Sequence, residues 1–347
     1  MNKFSVVQFE MKPLPTEEEV KKDWRGVEAP LVSIICTSYN HLEYLDNAIK
    51  GFLIQKTNFP FEIIIHDDAS VDGSADLIRS YARSYKSIIR PILQTENQYS
   101  KGKSIFAIPA QYAQGKYLAI CEGDDFWIDE EKLAIQVDHL EKSQAGLIYS
   151  LAYVLRNREI QAELVGGDFE SDEIFYGNPI PTLTAVFRRD EYLRFLNSRY
   201  GDKKKWMMME DYQIWLWFYT KSRIIFCSKP TAVYRVLVGS ASRPSDAIKK
   251  YEFNLCSFRI ADYFAKSELS SRKYSLFQEK RNIYLYLYCV KNRLPEQEKI
   301  HAERLYAIQI GIKSSIILFL LDKLNASCLI KHFLGHPLVL SFIKKIY

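Results

Sequence analysis

Between residues 31 and 125 the chain passes three times from an apolar, β-rich run into a polar cluster: LVSIICTSYN, FEIIIHDDASVDGS and KYLAICEGDDFW. Continuous apolar runs of this length suit strands buried on both faces. After the first run, Leu45, Ala48, Ile49, Phe52 and Leu53 recur at helical spacing, with Asn40 as the predicted N-cap and Glu43 three residues on, as in a capping box. After the second, Ser74 is placed to cap a helix whose apolar face is Leu77, Ile78, Tyr81, Ala82 and Tyr85, and RPILQ reads as a short third strand. KYLAIC reads as the fourth strand, and Asp129 as the cap of a helix bearing Leu133, Ala134, Val137 and Leu140. This alternation predicts an α/β fold with a mostly parallel sheet flanked by helices. Ligands of such sheets bind outside the carboxyl ends of the strands, where the polar clusters fall.

Residues 1–29 read as an N-terminal extension in which Pro13, Pro15 and TEEEVKKDW predict a short polar helix reached through a stiff turn, with no chemistry. From GLIYSLAYV to about Tyr234 the alternation loosens into a loop from Gly166 to Pro181, a predicted strand TLTAVFRR and the apolar segment WMMMEDYQIWLWFY. Beyond Ser245 the pattern is helical. The expected division is therefore 1–29, an α/β domain over 30–245 with halves of about 30–150 and 151–245, and a helical C-terminal region over 246–347.

Composition narrows the function classes. The 347 residues are 48% hydrophobic and 26% charged, and the net charge of +5 is dispersed without a basic stripe, which argues against a nucleic-acid partner. Six cysteines are scattered without short pairings, which suits a reduced cytoplasmic setting. No secretory leader is evident, and the longest apolar approach to a membrane span, Ile308 to Leu321, contains Lys313 and ends at Asp322. The runs IILFLL and LVLSFI lie among Lys313, Lys323, Lys331, Lys344 and Lys345, a pattern that fits peripheral contact with the inner membrane face, an internal helical cap or a homo-oligomer face equally well. No GxxxxGK[ST], GxGxxG or GxSxG motif occurs, which removes the main support for P-loop ATPases, dinucleotide dehydrogenases and α/β-hydrolases. The histidines His41, His66, His139, His301, His332 and His336 show no metal-ligand spacing and read as structural.

Three acid clusters carry the chemistry. Asp67 and Asp68 end the second strand, where they form either a helix-capping turn or a carboxylate contact to a nucleotide's base or sugar. Glu122, Asp124 and Asp125 follow the fourth strand; crowding them costs repulsion and desolvation, which a divalent cation offsets. All-oxygen ligation suits Mg²⁺ or Mn²⁺, with substrate phosphates completing the shell. Glu210 and Asp211 stand among Met and aromatic residues, either as favourable charge at a helix start or as a carboxylate of raised basicity suited to general-base work.

In this order, VSIICTSYN, HDDASVDGS, EGDD followed by FWIDEEKL, the MED triplet and YRVLVGSAS resemble glycosyltransferase family 2, inverting nucleotide-sugar enzymes with a Rossmann-like GT-A fold, over roughly residues 31 to 245. The resemblance implies a metal-dependent transfer of a sugar, UDP-linked in first expectation, to a hydroxyl of a glycan or lipid-linked acceptor in bacterial surface polysaccharide synthesis. It makes 30–150 the donor half and 151–245 the acceptor half. By the same resemblance Thr37, Tyr39, Asp68 and Asp124 are donor nucleotide contacts, Asp125, Asp124 and Glu122 the metal site, and Asp211 the catalytic base beside Glu210. Trp127, Arg235, Ser240 and Ser242 are candidate diphosphate or acceptor contacts; Leu237 stands where the family often has a histidine. A QxxRW-like signature of processive synthases is absent, which favours single-sugar transfer. The rival readings are a nucleotidyltransferase, which would want a Gly-rich basic loop where TSYNHLEYL stands, and a non-catalytic carbohydrate-binding scaffold.

Overall fold

All seven residues of β1 (Val32–Ser38) and of β2 (Phe61–Asp67) are buried, as uninterrupted apolar runs demand. The structure, a computed structural model, describes residues 4–25, 29–201, 209–237 and 246–307. The chain continues through β3 (Ile89–Leu93), β4 (Tyr117–Glu122), β5 (Phe126–Trp127), β6 (Leu147–Arg156), β7 (Glu159–Val165), β8 (Val186–Arg188) and β9 (Ile224–Arg235). One sheet holds them in the order β3-β2-β1-β4-β8-β6-β9-β5, with β7 on β6. β3, β2, β1 and β4 are mutually parallel, whereas β8 is antiparallel to both β4 and β6, and β5 is antiparallel to β9. β1 is the switch point: the chain builds β2 and β3 to one side of it and returns to place β4 on the other. Thr37 thereby lies between His66 and Glu122 in register, so three polar strand ends meet at the carboxyl edge of the sheet, where ligands of such sheets bind.

The expected elements form, with different caps. Asn40 adopts a left-handed conformation (φ 55°) and accepts from Val71 N–H (2.9 Å), so the helix Leu42–Leu53 starts after His41 instead. Its free Leu42 N–H is satisfied by Asp72 Oδ2 at 2.9 Å, a partner thirty residues away that local pattern reasoning does not reach. Ser74 is the first residue of the helix Ser74–Ser84, behind Gly73 at φ 99°, and Glu131 rather than Asp129 precedes the helix Lys132–Ser143. Of TLTAVFRR only Val186–Arg188 is strand; Thr182–Thr184 is a 3₁₀ turn. The N-terminal polar helix is Glu17–Lys21, closed by a Thr16–Glu19 capping box, and a further helix, Val6–Met11, precedes it.

The chain divides into two compact units, Met1–Ile174 with Asn178–Leu237, and Phe175–Gly177 with Val238–Tyr347. In the second, the helices Ala247–Glu268, Ser271–Asn292 and Pro295–Ala307 enclose His301, whose ring nitrogens lie 2.9 Å from Tyr251 OH and 3.1 Å from Asn282 Oδ1. Among the described residues no helix is long and apolar enough to cross a membrane. The tail 308–347, with its membrane, cap or oligomer readings, lies outside the described residues, as do Ser240 and Ser242.

Candidate active site

The acid loop after β4 is tied to its neighbours by its backbone and points two carboxylates outward. Gly123 N–H donates to Thr37 O (2.8 Å), and a Cβ at Gly123 would lie 3.1 Å from His41 Nδ1 and 3.3 Å from Thr37 O, so a larger residue would press on His41 and the end of β1. Glu122 and Asp124 remain partly exposed, whereas Asp125 is 3% exposed and its Oδ1 accepts Arg235 N–H at 2.6 Å. Arg235 Nε in turn donates to Asp124 O (2.8 Å), and its guanidinium lies 4.6 Å over the Tyr44 ring. Burial together with the Asp124 and Asp211 charges pushes the Glu122 carboxyl up to about 8. Burial and the same crowding raise Asp125 well above the usual carboxylate range.

Asp211 opens the helix Glu210–Lys221 and faces the same cluster closely enough for its charge to act on Glu122. Its Oδ2 accepts from Asn178 Nδ2 and Thr182 Oγ1, both at 2.9 Å. Burial raises its basicity, and these two donors oppose the rise. Glu210 turns elsewhere, to the Ser104 hydroxyl, and lines a small cavity with Tyr99, Lys103 and Gln213. Neither Asn178 nor Thr182 was marked by the sequence; both sit in irregular chain between strands, where no spacing rule points to a role.

Thr37 is at the end of β1, 5% exposed, and Tyr39 is half-exposed in the turn beyond it. Asp68 is 3% exposed and uses both oxygens on the backbone N–H groups of Gln98 (2.7 Å) and Tyr99 (3.0 Å), anchoring the loop that follows β3. The helix-capping work weighed for this cluster falls to Asp72, and Asp67 closes the turn onto Ser70. Trp127 is a correction: it is fully buried and its indole N–H donates to Leu183 O (2.6 Å), so it is part of the core and not a ligand contact. The buried atoms Ser38 Oγ, His41 Nδ1 and Arg235 Nη2, from segments that flank the acid loop, find no hydrogen-bond partner among the described residues. Buried polar atoms are rarely left so, which fits a site shaped for a polar ligand.

Among the described residues no three His, Cys, Asp or Glu side chains are grouped to hold a metal on their own. The two outward carboxylates, Glu122 and Asp124, do fit a hard divalent cation whose shell is completed by substrate phosphates.

This sheet, with acids gathered at the switch point, defines an α/β protein of the GT-A class, and solved structures share the fold. TarS (residues 1–349) of S. aureus in complex with UDP-GlcNAc matches with a TM-score of 0.55 at 15% identity, over 80% of this chain and 81% of that one. The mannosyltransferase PcManGT of Pyrobaculum calidifontis in complex with GDP-Man and Mn2+ matches with a TM-score of 0.50 at 16% identity, over 98% and 89%. Residues 33–161 match the family model for glycosyl transferase family 2. An uncharacterized protein of Mycobacterium tuberculosis is 36% identical over 166 residues, covering 46% of this chain; the chain spans about half (47%) of that relative's length. The UDP-Glc:alpha-D-GlcNAc-diphosphoundecaprenol beta-1,3-glucosyltransferase WfgD of Escherichia coli is 26% identical over 216 residues, 61% of this chain and 79% of its own.

Proposed function

We propose that the protein transfers a sugar from a nucleoside diphosphate donor, UDP-linked, to a hydroxyl of a glycan or lipid-linked acceptor, with inversion, in bacterial polysaccharide assembly. The observation that carries this reading is Asp211: a half-buried carboxylate of raised basicity, fixed by Asn178 and Thr182, facing the acid loop at the switch point of a GT-A sheet. Asp211 takes the proton of the acceptor hydroxyl as that oxygen attacks the anomeric carbon from the face opposite the departing diphosphate. Thr37 and the loop anchored by Asp68 frame the nucleoside, with Tyr39 at the rim. Glu122 and Asp124 would hold Mn²⁺ or Mg²⁺, and Asp125 steadies the loop through Arg235. When bound, such a cation supplies positive charge against the negative charge that develops on the leaving diphosphate. Arg235 Nη2, buried beside Asp124 without a partner, is placed to add a donor there, where Leu237 offers none.

The UDP-linked donor is supported by WfgD, a UDP-Glc transferase, and by TarS in complex with UDP-GlcNAc, and the divalent cation by the acids here and by PcManGT in complex with Mn2+. Asp211→Asn tests the reading: donor binding should persist while transfer falls by about 10²–10⁴-fold, the usual share of a general base. Equal loss of both would give Asp211 a structural role, and nucleotide binding without any Mn²⁺- or Mg²⁺-dependent turnover in the wild type would favour the scaffold reading.

A further inference from the structure

The family match starts at residue 33, yet the chain before it reaches the acid loop from behind. Phe9 is 2% exposed, and its ring centroid lies 5.0 Å from that of Phe126, the residue directly after Asp125. Phe4 approaches the same ring at 6.4 Å and stacks on Tyr153 at 6.1 Å. The Arg235 guanidinium also packs on Phe126, 5.4 Å from the ring centre. With Ile54, Leu155 and Val233, Phe9 and Phe126 form a core of their own, separate from the main one.

The short helix that carries Phe9 is itself pinned. Lys50 Nζ donates to Glu10 O (2.5 Å), Asn47 Nδ2 to Glu10 Oε1 (3.0 Å), and Lys12 pairs with Glu130 at 3.0 Å. The Glu10 carboxylate also adds negative charge near Arg235. β5 is only two residues long, so backbone pairing alone restrains the loop weakly, and side-chain packing on Phe126 must supply the rest.

We infer that the helix Val6–Met11, held by Asn47 and Lys50 through Glu10, is a positioning element for the acid loop: Phe9 packed against Phe126 fixes the loop in which Glu122 and Asp124 face a metal-bound diphosphate. The inference rests on the donor site proposed above. Residues that orient ligands without touching the metal commonly set its affinity by about 10–100-fold.

The test is the Mn²⁺ concentration that half-saturates binding of UDP or GDP to the full chain, measured by calorimetry beside the affinity in EDTA. Phe9→Ala, shown folded by its thermal melt, should need about tenfold more Mn²⁺ with unchanged metal-free affinity. Phe9→Leu, which keeps apolar cover, should restore most of the wild-type value. Should Phe9→Ala not fold, Phe9→Leu and Glu10→Gln decide, each expected to shift the Mn²⁺ requirement upward by less. A folded set of variants with the wild-type Mn²⁺ requirement, or with metal-free and metal-bound affinity falling together, overturns the inference. A wild-type chain that binds neither nucleotide with Mn²⁺ overturns the donor-site reading instead.

Discussion

Thr182→Val removes one of the two donors that hold Asp211 and leaves a methyl group of nearly the same size in its place. The hydroxyl sits 2.9 Å from Asp211 Oδ2, and Asn178 Nδ2 remains at the same distance. A hydrogen bond to a charged acceptor contributes roughly 1.5–3 kcal/mol, and about 1.4 kcal/mol moves a titration by one unit. The donor favours the ionised carboxylate, so its loss raises an already raised pKa. A base must be deprotonated to act, hence the acidic limb of the kcat profile should move toward alkaline pH by about one unit or more. Below the limb the variant should be slower by about tenfold, and above it the two enzymes should converge. The assay is sugar transfer followed by nucleotide release across pH at saturating donor. A limb that stays in place while the whole profile drops would refute the reasoning, because it would make Thr182 a packing residue and leave the basicity of Asp211 unexplained.

Asp124→Asn should abolish the Mn²⁺ dependence of nucleotide binding in calorimetry, whereas Asp125→Asn, which can still accept Arg235 N–H, should keep it and lower the melting temperature less than Asp125→Ala. Gly51→Ala should destabilise by about 1–3 kcal/mol in urea unfolding, since its new carbon would meet Trp127 O at 2.6 Å. His301, lowered by burial from 6.5 to about 4, stays neutral in the folded helices while the unfolded chain takes up its proton. Its stabilisation is therefore complete above pH 6.5 and lost as pH falls toward 4, on the order of 2 kcal/mol, and a His301→Gln variant should lack that slope in melts across the window.

The parallel core was legible because burial on both faces leaves a signature in consecutive residues: VSIIC, FEIII and KYLAIC became β1, β2 and β4 with their polar ends aligned. Caps and turns were not, because their partners come from elsewhere. Asp72 serves the helix after β1 from the loop after β2, and the 3₁₀ turn at Thr182 is shaped by Trp127 and Gln136, which bond Leu183 O and Thr184 O. The same limit explains Trp127, where the sequence offers an aromatic beside acids and only the fold turns it inward. The acids themselves were visible as a group, but their division of tasks was not. A carboxylate that accepts a backbone amide and one that faces a ligand look alike in EGDD.

That division follows from one constraint. Three carboxylates within four residues repel one another, and burial amplifies the repulsion, so the loop holds only if some charge is answered inside the protein. Arg235 answers Asp125 and braces the Asp124 carbonyl, which leaves Glu122 and Asp124 facing outward with no internal counter-charge. An element that steadies Arg235 therefore steadies the electrostatic imbalance on which cation binding depends. Lys132 shows the alternative on the core side of Trp127: buried 4.1 Å over that indole with Gln136 as its hydrogen-bond partner, it is driven down to about 7 by burial, which the Asp129 charge only partly offsets. At the acid loop, by contrast, a bound cation would supply the counter-charge.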